Sequence, residues 1–147
     1  MTEALDLVKE AVFLAVKGDS VLAAKVTDAG GLLGFFLGGI PARFGLADKV
    51  AAITLEAGTA LARGSKEEVT VTLAVTAHKD ALVRDVAADL DRLFHPGGGK
   101  QWRPLALKEG AAGFIRREFA DDANDPASEL RRRNLRFRVL VGGPRAA

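Results

Sequence analysis

Residues 67–77 alternate strictly between two kinds of side chain. One set is branched and apolar (Val69, Val71, Leu73, Val75), and the other is small or carries a hydroxyl (Thr70, Thr72, Ala74, Thr76). A period of two with many β-branched residues is typical of a strand with one buried face. The chain must therefore build a sheet and cover one side of it.

Two segments have the helical period that could provide this cover. In residues 3–17, apolar side chains recur at three- and four-residue spacing, with Thr2 as the predicted N-cap and Gly18 as the stop. In residues 79–94, Asp80 stands near the start, and one apolar face consists of Val83, Val86, Ala87, Leu90 and Phe94. The sequence His95-Pro96-Gly97-Gly98-Gly99 ends this helix.

The remaining segments predict shorter elements. Strands are expected at residues 50–55, 105–107, 113–119 and 135–141, a short turn at 21–26, and a polar loop at 121–128. Residues 58–66, with Gly64-Ser65, are read as a hairpin connection. We therefore expect one α+β domain over residues 1–147, with an antiparallel or mixed β-sheet and two α-helices packed on one face.

Composition excludes several classes of protein. The chain has no cysteine, so disulfide frameworks and thiolate metal sites are absent. No stretch approaches the roughly 20 apolar residues of a membrane helix, and Glu3 and Asp6 are acidic where a signal peptide is basic. We expect a soluble protein without membrane contact. The 21 Lys and Arg nearly balance the 19 Asp and Glu, unlike a dedicated nucleic-acid binder.

Residues suited to catalysis are few. His78 and His95 lie at opposite ends of the second predicted helix, more than about 20 Å apart, so they cannot form one acid–base pair or share a metal. None of the three serines lies in a Gly-x-Ser-x-Gly turn. We predict no catalytic residue.

Two segments resemble ligand-binding loops in composition only. Gly97-Gly98-Gly99-Lys100 follows a helix and lacks the spacing of a phosphate-binding loop. Residues 121–129 are rich in carboxylates but lack the glycine and the ligand spacing of a calcium loop, so a solvated acidic loop is favoured. We predict no cofactor and no metal.

The glycine-bracketed segment 30–39 contains Phe35, Phe36 and Leu37 and no charge. Two interpretations of this segment are open. It is either a loop or irregular strand packed against the core, or an exposed segment that a neighbouring subunit buries. Consecutive exposed phenylalanines are a patch that soluble monomers avoid.

Arginines are concentrated near the C-terminus. Arg131, Arg132 and Arg133 precede Arg136 and Arg138, which alternate with core positions and so point away from the core. Such a face could meet phosphates or an acidic partner. Salt bridges between subunits are the equal alternative, because acids lie on the adjacent loop: Asp121, Asp122 and Asp125.

The order of these segments resembles that of the tail-terminator, or tail-completion, proteins of long-tailed bacteriophages and related gene-transfer particles. The resemblance covers most of the chain: the N-terminal helix running into Gly18-Asp19-Ser20-Val21-Leu22, the strand segments 50–58 and 67–75, the helix 81–94 and the final strand 133–141. The chain departs from the family pattern at 30–46, which is longer than the usual approach to the first strand.

The resemblance implies a structural virion protein of the tail or neck that assembles in the host cytoplasm. Copies would form a ring, commonly a hexamer, that ends tail-tube growth and joins the tail to the head connector, while DNA passes through the lumen without sequence-specific binding. The partners would be further copies, the tail tube protein and the connector protein. The alternative from the residues alone is a small ferredoxin-like module that binds nucleic acid or a regulatory ligand through its sheet.

Overall fold

This computed structural model describes residues 3–63, 66–95 and 101–142. Within them the chain forms three helices and six strands: α1 (Ala4–Gly18), α2 (Ser20–Lys25), β1 (Phe35–Leu37), β2 (Ala52–Arg63), β3 (Lys66–Ala77), α3 (Asp80–Phe94), β4 (Arg103–Ala106), β5 (Ala112–Asp122) and β6 (Arg131–Gly142). The predicted α+β class is confirmed. Thr2, Gly64-Ser65 and Pro96–Lys100, which the sequence predicts as a cap, a turn and a helix stop, lie outside the described residues.

The six strands form one mixed sheet in the order β1-β2-β3-β6-β5-β4. The first two strands run parallel, and every other neighbouring pair is antiparallel. The strand at residues 67–77 lies near the middle of this sheet, which explains why its pattern is the clearest in the sequence.

Apolar side chains of the sheet and of the helices form one hydrophobic cluster. Val69, Val71, Leu73 and Val75 of β3 point to the same side as Phe137 of β6 and belong to one hydrophobic cluster with the apolar residues of α1 and α3. The ring of Phe94 at the end of α3 meets Phe137 edge to face, with centroids 5.7 Å apart. The opposite face is called the outer face below.

The helices are held to each other by charged side chains. Asp19 caps α2 by accepting a hydrogen bond from the N–H of Leu22 at 3.0 Å, and Arg92 of α3 donates to the same carboxylate at 3.0 Å. Lys25 at the end of α2 contacts Asp85 and Asp89 of α3 at 2.9 and 2.7 Å. The helix α2 is a third helix, formed where the sequence predicts only a short turn. No helix among residues 3–63, 66–95 and 101–142 has both the length and the hydropathy of a membrane span.

Several predicted boundaries are wrong. The segment 58–62 is not a connection, because β2 continues to Arg63 and pairs with β3 as far as Lys66. Asp121 and Asp122 are not in a loop but end β5, where they pair with Asn134 and Arg133. The last strand accordingly begins at Arg131, not at residue 135.

Gly58 explains why β2 resembles a turn in sequence. The strand is bulged between Glu56 and Thr59. A β-carbon at Gly58 would lie 2.4 Å from the carbonyl oxygen of Thr70 and 3.0 Å from a methyl of Leu5. Glycine is therefore required here by close approach of the backbone inside a strand.

Candidate assembly surface

The outer face of the sheet carries a row of arginines on β6. Arg132, Arg136 and Arg138 alternate with the buried residues Leu135 and Phe137. Because neighbouring residues of a strand point to opposite faces, the alternation that buries the apolar residues presents the arginines on the outer face.

Acidic residues of the same chain neutralise much of this row. Arg138 contacts Glu68 of β3 and Glu118 of β5, each at 2.7 Å, and Arg136 contacts Glu118 at 3.1 Å. Arg132 is paired with Glu56 of β2. These three arginines therefore already have acidic partners within the chain, and their contact with a neighbouring subunit stays a prediction.

The outer face also carries aromatic rings, which the sequence interpretation missed. The guanidinium of Arg116 lies 4.7 Å from the ring centroid of Trp102, and that of Arg136 lies 5.6 Å from the ring of Phe119. β5 is bulged between Arg117 and Phe119, which moves Phe119 to the same face as Arg136. Stacking of arginine on an aromatic ring is a recurrent stabilising contact.

The arginine triplet 131–133 divides between the faces. Arg133 donates to Asp122 at 2.9 Å, and Arg84 of α3 donates to the other oxygen of that carboxylate at 3.0 Å. The hydrogen bond from Arg133 is the largest effect that lowers the pKa of the Asp122 carboxyl. Arg131 is exposed and has no ion pair within the described residues.

The other two predicted acids are placed differently from Asp122. Asp121 is exposed opposite Asn134.

Asp125 accepts a hydrogen bond from the N–H of Ala127 at 2.9 Å, which closes a local turn. Asp125 and Arg132 line one groove of about 530 Å³ on the outer face, between residues 38–40 and the loop 123–130. Asp125 thus lines the same groove as Arg132. Asp122, in contrast, forms an ion pair with Arg133.

The apolar triplet 35–37 forms the short edge strand β1. Phe35 is 8% exposed, and its ring meets Phe13 of α1 edge to face, with centroids 5.6 Å apart. Phe36 meets Phe44 in the same manner at 5.4 Å. Leu37 is 63% exposed and is the member of the triplet that presents its side chain to solvent.

The two histidines lie at the two ends of α3. His78 is exposed, whereas His95 is buried and its Nδ1 accepts a hydrogen bond from the N–H of Arg117 at 3.2 Å. The nearby Asp91 contacts Arg117, and burial raises the pKa of the Asp91 carboxyl. Within the part of the chain that the structure describes, no group of three or more acidic or histidine side chains could hold a metal ion.

Comparison with known proteins identifies a shared fold. No protein-family model matches this sequence, and no curated protein matches it either. A chain in the structure of the virion of a native gene transfer agent (GTA) particle superposes with a TM-score of 0.70, over 97% of this chain and 100% of that chain, at 17% sequence identity. Identity at this level shows the fold alone, and this chain has the fold of that virion chain.

Proposed function

We propose that this chain is a structural component of a phage-like particle and acts as a tail terminator. In this proposal residues 1–147 form one assembly domain with no catalytic role. Copies build a ring, six in number, at the head-proximal end of the tail tube. The ring stops growth of the tube and joins it to the head connector, and DNA passes through its lumen.

The observation that carries the proposal is the completeness of the shared fold. The similarity to the gene transfer agent virion chain covers 97% of one chain and 100% of the other, so no large insertion distinguishes the two. A fold by itself does not determine function. The specific role of a tail terminator is taken from the resemblance of the element order to that family.

The surfaces of the chain suit assembly of identical copies. A head-to-tail ring needs two different complementary surfaces on each subunit. The outer face offers arginines, glutamates and aromatic rings, whereas the opposite side offers α1 with Leu14, which is 44% exposed, and Leu37 of β1. The two sides of the domain thus present different sets of side chains, and a head-to-tail contact can use different surfaces of one subunit.

Two experiments test the proposal. Native mass spectrometry and negative-stain electron microscopy of the purified chain should reveal a closed ring, and a monomer at all accessible concentrations would contradict it. Deletion of the gene in its host should leave tails of irregular length that are not joined to heads. Particles with normal tails would refute the proposed role as a tail terminator, even if the purified chain forms a ring.

A nucleic-acid-binding module is the second candidate, because Trp102 and Phe119 stack with arginines on the outer face. Aromatic rings beside cationic groups are the usual platform for single-stranded nucleic acid. The discriminating measurement is binding of a fluorescent single-stranded oligonucleotide as salt is raised. Steeply salt-dependent binding by a monomer favours the module, and a ring that does not bind favours assembly.

A further inference from the structure

The distal half of β2 is an uncovered sheet edge. Within the described part of the chain, β1 pairs with β2 only at Ile53, Thr54 and Leu55, so no strand covers β2 beyond the bulge at Gly58. Residues 59–62 (Thr59, Ala60, Leu61 and Ala62) are all exposed and all uncharged. Edges of this kind are normally blunted with charges or proline, or are covered, because they promote association with other chains.

The opposite edge of the sheet is β4, and proline blunts it. Pro104 has no N–H, which suits an edge strand because that position has no donor to leave unpaired. Pro104 is exposed on the outer face beside Phe114 of β5, which is 38% exposed. Proline removes one backbone donor from this edge, and the edge also offers apolar side-chain surface.

The two edges are in register across the sheet. Leu61 lies opposite Glu68, Glu68 opposite Leu140, Leu140 opposite Phe114, and Phe114 opposite Pro104. Since directly paired residues point to the same face, this row crosses the outer face from edge to edge. The row begins at one edge with Leu61, which is 56% exposed, and ends at the other edge with Phe114 and Pro104.

We infer that these edges meet in the assembly: Leu61 of one copy packs on Pro104 and Phe114 of the next copy, on the outer face. This inference rests on the proposed self-assembly and specifies its contact. A head-to-tail contact between opposite edges covers the exposed edge residues of β2. The same contact covers the apolar side chains at the end of the β4–β5 pair. Both ends of the row lie on the same face, so repetition of the contact continues the row from copy to copy. A ring results when the rotation between successive copies closes.

The absence of cysteine in the chain allows a direct test by cross-linking. In the double variant Leu61→Cys/Pro104→Cys, oxidation or a short bismaleimide should link copies into a ladder that ends at the subunit number of the ring. Residues opposite each other on adjoining strands have Cβ atoms about 4.5–5.5 Å apart, close to the range a disulfide needs. Each single variant should remain unlinked, and so should the control pair Leu61→Cys/Val21→Cys.

A second variant measures the contribution of the contact. Leu61→Glu should weaken self-association by about tenfold, because it places a charge in an apolar contact, while the melting temperature of the monomer stays unchanged. Val21→Glu on α2, at a residue with nearly the same exposure (54%), is the matched control and should leave association unchanged.

The outcomes separate this contact from the proposed function. A ring that forms normally but gives no Leu61–Pro104 cross-link would refute the contact and leave the tail-terminator proposal intact. Dimers of Leu61→Cys alone would show two-fold edge pairing and would also refute it. A wild-type chain that remains monomeric would refute both.

Discussion

Arg133 and Asp122 face each other across the paired strands β6 and β5, and the guanidinium donates to the carboxylate at 2.9 Å. Arg84 of α3 donates to the same carboxylate at 3.0 Å, which ties the helix to the edge of the sheet. Residues that sequence patterns assign to contacts between subunits are thus partners within one chain. Arg131, two positions from Arg133, has no such partner in the described residues and remains available to a neighbouring subunit.

Charge reversal should therefore act differently at two arginines of one triplet. Arg131→Glu is expected to weaken association in a salt-dependent manner without changing the melting temperature, because Arg131 is exposed and unpaired within the described chain. Arg133→Glu is expected to lower the melting temperature slightly, because it places two carboxylates together. Sedimentation velocity at low and high salt, with thermal unfolding of each variant, measures both effects. Equal effects of the two substitutions on both quantities would contradict this assignment.

The stability of the fold should depend on Asp122 in a defined pH range. Its pKa is lowered in the folded chain, so its carboxylate stabilises the fold above the ordinary pKa of about 3.9 and ceases to do so as pH falls through the lowered value. Asp122→Asn should therefore unfold at lower urea concentration than wild type at pH 7, and this difference should shrink at acidic pH.

Asp121→Asn is the matched control for that pH experiment. Asp121 is the adjacent carboxylate and has no ion pair within the described residues. Its substitution should leave the urea midpoint unchanged at both pH values. A difference between Asp122→Asn and wild type that persists undiminished below pH of about 3 would exclude the ion pair as its cause.

Substitutions within the triplet 35–37 should affect folding and assembly differently. Phe35→Ser should destabilise the fold by about 3 kcal/mol or more, because it empties a buried site against Phe13. Leu37→Ser should change the free energy of unfolding by no more than about 0.5 kcal/mol, because the side chain is exposed. Urea unfolding measures the first effect, and light scattering tests whether Leu37→Ser reduces assembly. Equal destabilisation by both substitutions would contradict the placement of β1.

The bulge at Gly58 should not tolerate a side chain. Gly58→Ala places a methyl group 2.4 Å from the carbonyl oxygen of Thr70, and backbone cannot move aside as a flexible side chain would. We expect a loss of about 1–3 kcal/mol in the free energy of unfolding. Gly39→Ala is the control, since no heavy atom lies within 4 Å of its β-carbon. Indistinguishable unfolding midpoints for the two variants would show that the close approach is absent.

Elements with a strong local period could be predicted from the sequence. The strand at 67–77 and the helices at 3–17 and 79–94 lie where their apolar spacing indicates, because each buries one continuous face on the same core. The outward direction of Arg136 and Arg138 follows from the same alternation on β6. Local geometry determines these features, so no distant residue is needed to predict them.

The composition of the outer face could not be predicted in this way. The bulges after Glu56 and after Arg117 each displace the alternation by one residue, and the bulge in β5 brings Phe119 beside Arg136. The partners of the arginines are also distant in sequence, since Arg132 meets Glu56 from a strand 76 residues earlier. No local pattern contains that information.

Side-chain periodicity predicts the fold class, the buried faces of β3, α1 and α3, and the strand that carries the arginines, because this period is a property of neighbouring residues. Periodicity does not predict which charges are already paired, that Phe35 is buried while Leu37 is exposed, or that Leu61 and Pro104 lie at the two ends of one row across the sheet. These depend on strand order and register, which arise when segments far apart in the chain share one core.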